Sequence, residues 1–61
     1  MTLAEEMIQY RARYNLSQAK FGELCGVSVM TINFVEREMQ KPSARTEAKI
    51  KLILDAEKEE E

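Results

Sequence analysis

The sequence predicts an all-α fold: a small domain of four short helices, the second and third joined by a tight turn. Three observations lead there. The 61 residues include only two glycines and one proline, and β-branched residues never form an alternating run. Hydroxyl residues (Thr2, Ser17, Ser28 and Ser43) stand at the heads of four helix-periodic stretches, where N-caps belong. Within residues 16–42, LSQAKFGELCGVSVMTINFVEREMQKP, one helical pattern stops at Gly26 and the next starts near Ser28. That spacing is a helix-turn-helix, a unit able to place its second helix in the DNA major groove.

Helix one is expected over about residues 3–13. Thr2 and Glu5 have the spacing of a capping box. Leu3, Met7, Tyr10, Arg11 and Tyr14 recur every three or four positions, with Ile8 widening the stripe, and Asn15 is a natural stop. Helix two follows from Ser17 or Gln18 to Cys25. Leu16 can staple back onto Phe21, and Phe21, Leu24 and Cys25 are expected to face inward. Gly26 ends the helix, because a left-handed backbone strains glycine least. Gly22 lowers helix propensity by roughly 1 kcal/mol relative to alanine. Two readings of it stay open, a close helix–helix approach and a neutral surface site.

Helix three is expected over about residues 28–37, with Val27, Ile32 and Val35 inward. Residues 38–42 form a connector, since Pro42 keeps Lys41 out of the helical region. Ser43 then caps a helix over 44–56, followed by an acidic frayed tail at 57–61. The last helix carries Ala48, Leu52 and Ala56 on one line and Ile50, Ile53 and Leu54 on adjacent ones. So wide an apolar face suggests that part covers the core and the remainder, Ala48, Leu52 and Ala56, is a candidate dimer contact.

Composition sets limits. A chain this short holds one domain, here residues 1–56, and oligomerisation is a common source of added stability at this size. Apolar residues at 44 % suffice for a core. With no histidine and the single Cys25, neither a zinc site nor an internal disulfide is expected, and no cofactor is implied. No segment reads as a signal peptide or membrane span, so the expected compartment is cytoplasmic, without membrane partners. The formal charge of −2 argues at first against nucleic acid. Residues 10–51, however, hold eight basic residues against four acidic ones, a local charge of +4, with the acidic excess at the two ends. Local charge governs a binding face more than the chain total does.

The motifs Leu16-Ser17-Gln18, Phe21, Leu24, Gly26-Val27-Ser28, Thr31-Ile32, Val35-Glu36, Lys41-Pro42-Ser43, Thr46, Lys49-Ile50 and Leu54 run in register without gaps. In these the chain resembles the phage repressor and Cro superfamily of helix-turn-helix DNA-binding domains (lambda repressor-like), over residues 8–54. The resemblance implies a partly buried ion pair between Arg11 and Glu36. It implies that Val29, Met30, Asn33 and Phe34 point into the major groove, and that Gln18 holds a backbone phosphate and supports the recognition helix. The N-termini of helices two and three, the latter at Ser28, can offer backbone N–H groups to phosphate. Arg37, Lys41 and Arg45 are further phosphate candidates, because the loop after the recognition helix normally lies along the backbone in this family. Arg13 and Lys49 are weaker candidates, and Lys20 is expected to stay solvated. Many family members have glycine where Glu38 stands; a glutamate beside phosphate would repel it, so either that loop is displaced or helix three is longer. Members commonly continue into a fifth helix. A chain ending at Glu61 is what a minimal repressor of a phage, mobile element or small bacterial system would show.

The recognition set is unusually apolar. Asn33 can read adenine in bidentate fashion, whereas Val29 and Met30 can only touch thymine methyls. Phe34 is open between a methyl contact, a protein contact and the edge of the core, and Met30 also fits the core edge. The expected function is specific duplex DNA binding as a homodimer on a palindromic operator. The rival is a protein-interaction module using Val29, Met30, Phe34 and Met39. Catalysis is not expected, since there is no histidine, metal-ligand set or phosphate-cradling loop, and Ser17, Ser28 and Ser43 are accounted for as caps. Cys25, near a helix C-terminus, reads as a small buried hydrophobe.

Overall fold

A computed structural model describes residues 1–59, with side chains through Ala56. Among the described residues the chain forms four helices: α1 (Leu3–Tyr14), α2 (Gln18–Cys25), α3 (Val29–Glu36) and α4 (Ala44–Glu59). The tail expected at 57–61 falls partly in the last turn of α4 and partly outside the described residues.

Each helix starts on one device. A hydroxyl oxygen accepts the N–H of the residue three positions on, and so satisfies a donor that has no partner within the helix. Thr2 accepts from Glu5 at 3.2 Å, Ser17 from Lys20 at 3.0 Å, Ser28 from Thr31 at 3.2 Å and Ser43 from Thr46 at 3.2 Å. At α1 the capping box is complete, because the Thr2 N–H also donates to the Glu5 carboxylate at 2.9 Å. That backbone bond is the main reason the Glu5 carboxyl sits below its ordinary pKa.

Three helices also stop in the same way. Asn15 (φ 54°), Gly26 (φ 73°) and Glu38 (φ 58°) all take the left-handed conformation. The residue after each reaches back five positions: Leu16 N–H to the Arg11 carbonyl at 2.8 Å, Val27 to Gly22 at 2.9 Å, and Met39 to Phe34 at 3.0 Å. This is the Schellman arrangement, which occupies carbonyls that the helix leaves without partners. Glycine adopts it freely and asparagine with little strain, but an ordinary side chain pays roughly 1–2 kcal/mol. Glu38 therefore stands strained where glycine would fit. Helix α3 is not extended; it ends at Glu36 and the chain turns away through Glu38.

The core sits where the four helices meet. Met7, Phe21, Ile32 and Ile50 are fully buried, one from each helix, joined by Cys25, Val35 and Leu54. Leu3, Tyr10, Leu16, Val27 and Ile53 pack around them. The Tyr10 ring tilts against both Phe21 (centroids 5.5 Å apart) and Tyr14 (4.8 Å). Each fully buried large side chain contributes about 1.5–3 kcal/mol of transfer free energy.

Three details differ from the sequence reading. Ala4, not assigned inward there, is buried, while Ile8 and Tyr14 are about half exposed. Leu24 is 46 % exposed instead of inward. The reason is Gly22, which is buried and faces α3; a Cβ on it would lie 2.5 Å from the backbone carbonyl oxygen of Val27. With that bare face turned inward, α2 buries Phe21, Gly22 and Cys25 and leaves Leu24 on the outside. The same contact decides between the two readings of Gly22: it is a site of close approach. On α4, Ile50 and Leu54 cover the core, and Ala48, Leu52 and Ala56 lie exposed.

Two substitutions test these assignments by urea unfolding. Gly22→Ala should lower stability by about 1–3 kcal/mol, since the atom it meets is backbone and cannot rotate away. Glu38→Gly should raise stability by about 0.5–1 kcal/mol, the released strain being partly offset by glycine's greater freedom in the unfolded chain.

Candidate nucleic-acid interface

Helix α3 has only eight residues, so its position depends on what clamps it. One clamp is the turn, in which Gly26 lets the chain reverse and Gly22 lets α2 close onto Val27 and Ser28. The second is a polar network. Arg11 on α1 grips Glu36 on α3 in bidentate fashion, Nε to Oε2 at 2.8 Å and Nη2 to Oε1 at 3.0 Å. Arg11 Nη1 also donates to the Leu16 carbonyl at 3.3 Å. The side-chain exposures are 22 % for Arg11 and 5 % for Glu36, so the carboxylate is effectively withdrawn from solvent. Charge-assisted, two-pronged bonds of this kind offset the desolvation.

The network continues toward the surface. Gln18 Nε2, at the first position of α2, donates to Glu36 Oε1 at 3.0 Å. A carboxylate only accepts, so this bond fixes which end of the Gln18 amide points inward. Its Oε1 then faces outward and accepts from Asn33 Nδ2 at 3.2 Å. Asn33 is thereby oriented through a chain that begins at Arg11. One N–H and the Oδ1 of Asn33 are left over, the donor and acceptor that adenine requires.

The outer face of α3 follows from helical spacing. Met30, Asn33, Phe34 and Arg37 fall at i, i+3, i+4 and i+7, opposite the buried Ile32 and Val35. Met30 is 63 % exposed, so it does not close the core edge, and Val29 beside it is about half exposed. Phe34 is half-buried outside the core cluster. The hydroxyl of Ser28 caps the helix and donates to Thr31 Oγ1 at 2.9 Å. Arg37, Lys41 and Arg45 are all exposed around the connector into α4. Lys20 pairs with Glu23 at 3.5 Å, an exposed contact of little energetic weight. Ala48, Leu52 and Ala56 form an exposed stripe on α4, with Leu52 at 71 %.

Sequence reasoning assigned Gln18 and Asn33 separate roles and missed that they bond to each other. No local spacing could reveal this, because the two residues lie 15 apart on different helices and meet only where α2 crosses α3. Cys25, read from the sequence as a small buried hydrophobe, is buried, and desolvation pushes its thiol up to about 11, so the reactive thiolate is absent at neutral pH. Among the described residues no group of three or more His, Cys, Asp or Glu could hold a metal ion. Among them, too, no helix is long and apolar enough to cross a membrane.

Removing Glu36 should release the whole network. Glu36→Ala leaves Arg11 without its partner and Gln18 without its anchor, and should lower stability by about 3 kcal/mol. The cost stays at the low end of the roughly 3–5 kcal/mol for breaking a buried pair, because Arg11 keeps some access to water. A urea titration beside the wild type measures it.

No curated protein and no solved structure shows a significant match to the chain. A family model described as helix-turn-helix does match, over residues 7–54. Its limits are Met7 and Leu54, two of the core residues, so the match takes in the central core cluster and the α2–α3 pair within it. The chain belongs to the Cro/C1-type helix-turn-helix family of DNA-binding regulators, within the lambda repressor-like superfamily.

Proposed function

We propose that the protein is a sequence-specific transcriptional regulator of the repressor type that lays α3 in the major groove of duplex DNA. The observation that carries this reading is the withdrawal of Glu36. The only charge on α3 is negative, and it is held by Arg11 and covered, so α3 itself presents no exposed acid on its outward face. Met30, Asn33 and Phe34 face the base edges in this reading, with Val29 beside them. Arg37, Lys41 and Arg45 lie along the backbone, and the N-terminal amides of α2 and α3, at Gln18 and Ser28, meet phosphates directly.

A single domain of this size covers too little DNA for tight binding, so the working unit is a homodimer on a palindrome. The exposed Ala48, Leu52 and Ala56 stripe on α4 is the proposed contact. The setting is the cytoplasm of a bacterium, as a chromosomal or phage-borne regulator. A second reading rests on the exposure of Val29, Met30 and Met39, which would suit docking to a protein.

Selection from random duplex DNA at two salt concentrations separates the two. The regulator reading expects enrichment of a palindrome and binding that weakens steeply with salt. Three basic contacts per protomer give six in a dimer, and log affinity should fall against log salt with a slope of about −5. Arg45→Ala, which removes two of them, should make that slope shallower by about 2. Absence of salt-dependent retention on any duplex would sink the DNA reading in favour of the protein module.

A further inference from the structure

The first turn of α3 reaches outward with carbon and sulfur where polar side chains would be expected. The helix reads VMTINFVE, with no arginine, lysine or glutamine. Val29 and Met30 are exposed and carry neither a good donor nor a good acceptor. The Thr31 hydroxyl is engaged by Ser28, the Asn33 amide is turned by Gln18, and Glu36 is held by Arg11. An aliphatic surface here has one matching feature on base edges in the major groove, the C5-methyl of a pyrimidine. Thymine carries that methyl, and 5-methylcytosine carries the same group at the same ring position. Arg37, on the same stripe as Met30, and the withdrawn carboxylate suit a partner with a phosphate wall and argue against a purely apolar protein partner.

Resting on the DNA-binding reading above, we propose that Val29 and Met30 form a sensor for C5-methyl groups. The protein thereby distinguishes thymine from uracil, and 5-methylcytosine from cytosine, in duplex DNA. Valine supplies a stiff branched wall, and methionine, unbranched and polarizable, closes over the methyl. Asn33 fixes the register by its adenine contact, and the methyl contacts supply the discrimination beside it.

The test starts from duplexes enriched out of a random thymine-containing pool. Each is resynthesised with uracil replacing thymine at single positions. Loss of a contacted methyl should weaken binding about fourfold, the equivalent of one buried carbon group. In a second arm the contacted T·A pair is replaced by C·G, with and without C5 methylation of that cytosine. Methylation should recover about the same fourfold. The double variant Val29→Ala, Met30→Ala truncates only exposed side chains. It should keep the helical circular dichroism and the salt slope while its thymine-to-uracil ratio falls to one. Salt-dependent binding that is indifferent to uracil, failure of methylcytosine to restore affinity, or a double variant that keeps the ratio would each overturn the methyl sensor while leaving DNA binding intact. Absence of any salt-dependent duplex binding would overturn the DNA reading and the sensor together.

Discussion

The approach of Gly22 to the Val27 carbonyl is the constraint on which the rest of this small fold depends. A Cβ there would come within 2.5 Å of a backbone oxygen, so α2 can reach α3 only because the side chain is a hydrogen. That closeness turns α2 about its axis. It buries Phe21 and Cys25, releases Leu24 to solvent and brings the head of α2 over the last turn of α3. Gln18 can then touch Glu36 and Asn33 together. A looser crossing would leave the hydrophobic core present but the amide relay broken, since hydrogen bonds fail within a few tenths of an ångström where dispersion contacts only weaken.

Stability and presentation are divided between two kinds of chemistry. Burial of Met7, Phe21, Ile32 and Ile50 supplies the driving force without specifying direction, because the hydrophobic effect has none. The Arg11–Glu36–Gln18–Asn33 chain adds less net energy but fixes orientation, each member dictating which atom of the next points outward. The buried charge also does electrostatic work. Left exposed, Glu36 would place an uncompensated negative charge beside the outward face of α3, whereas in the grip of Arg11 that charge is matched and covered.

Much of the fold was legible in the sequence because its signals are local. Thr2, Ser17, Ser28 and Ser43 cap as their spacing suggests, and Asn15 and Gly26 end helices as residues tolerant of the left-handed region should. Glu38 ends α3 by the same geometry and was not readable as such, since nothing intrinsic to glutamate favours that conformation; packing and the Met39 bond to Phe34 impose it. Leu24 was misread because hydrophobic periodicity weighs a leucine above a glycine, whereas close packing here selected the glycine. In the candidate site the positions expected to face the groove came from family resemblance. The bond between Gln18 and Asn33 lay beyond reach because it joins residues 15 apart on two different helices.

The bidentate form of the Arg11–Glu36 contact has a consequence in chain entropy. The bonds that start and stop the helices close segments of five residues or fewer, while this one joins positions 25 apart. Closing the longer loop costs about 1.4 kcal/mol more than closing one of five residues. That excess is about what a single neutral hydrogen bond returns, roughly 0.5–1.5 kcal/mol, so a lone uncharged bond between α1 and α3 would leave nothing over. Two parallel charged bonds return more than the loop takes. The fork of the guanidinium is thus what makes so distant a tie thermodynamically worthwhile in a chain of 61 residues, and a lysine in its place would keep the charge but lose that margin.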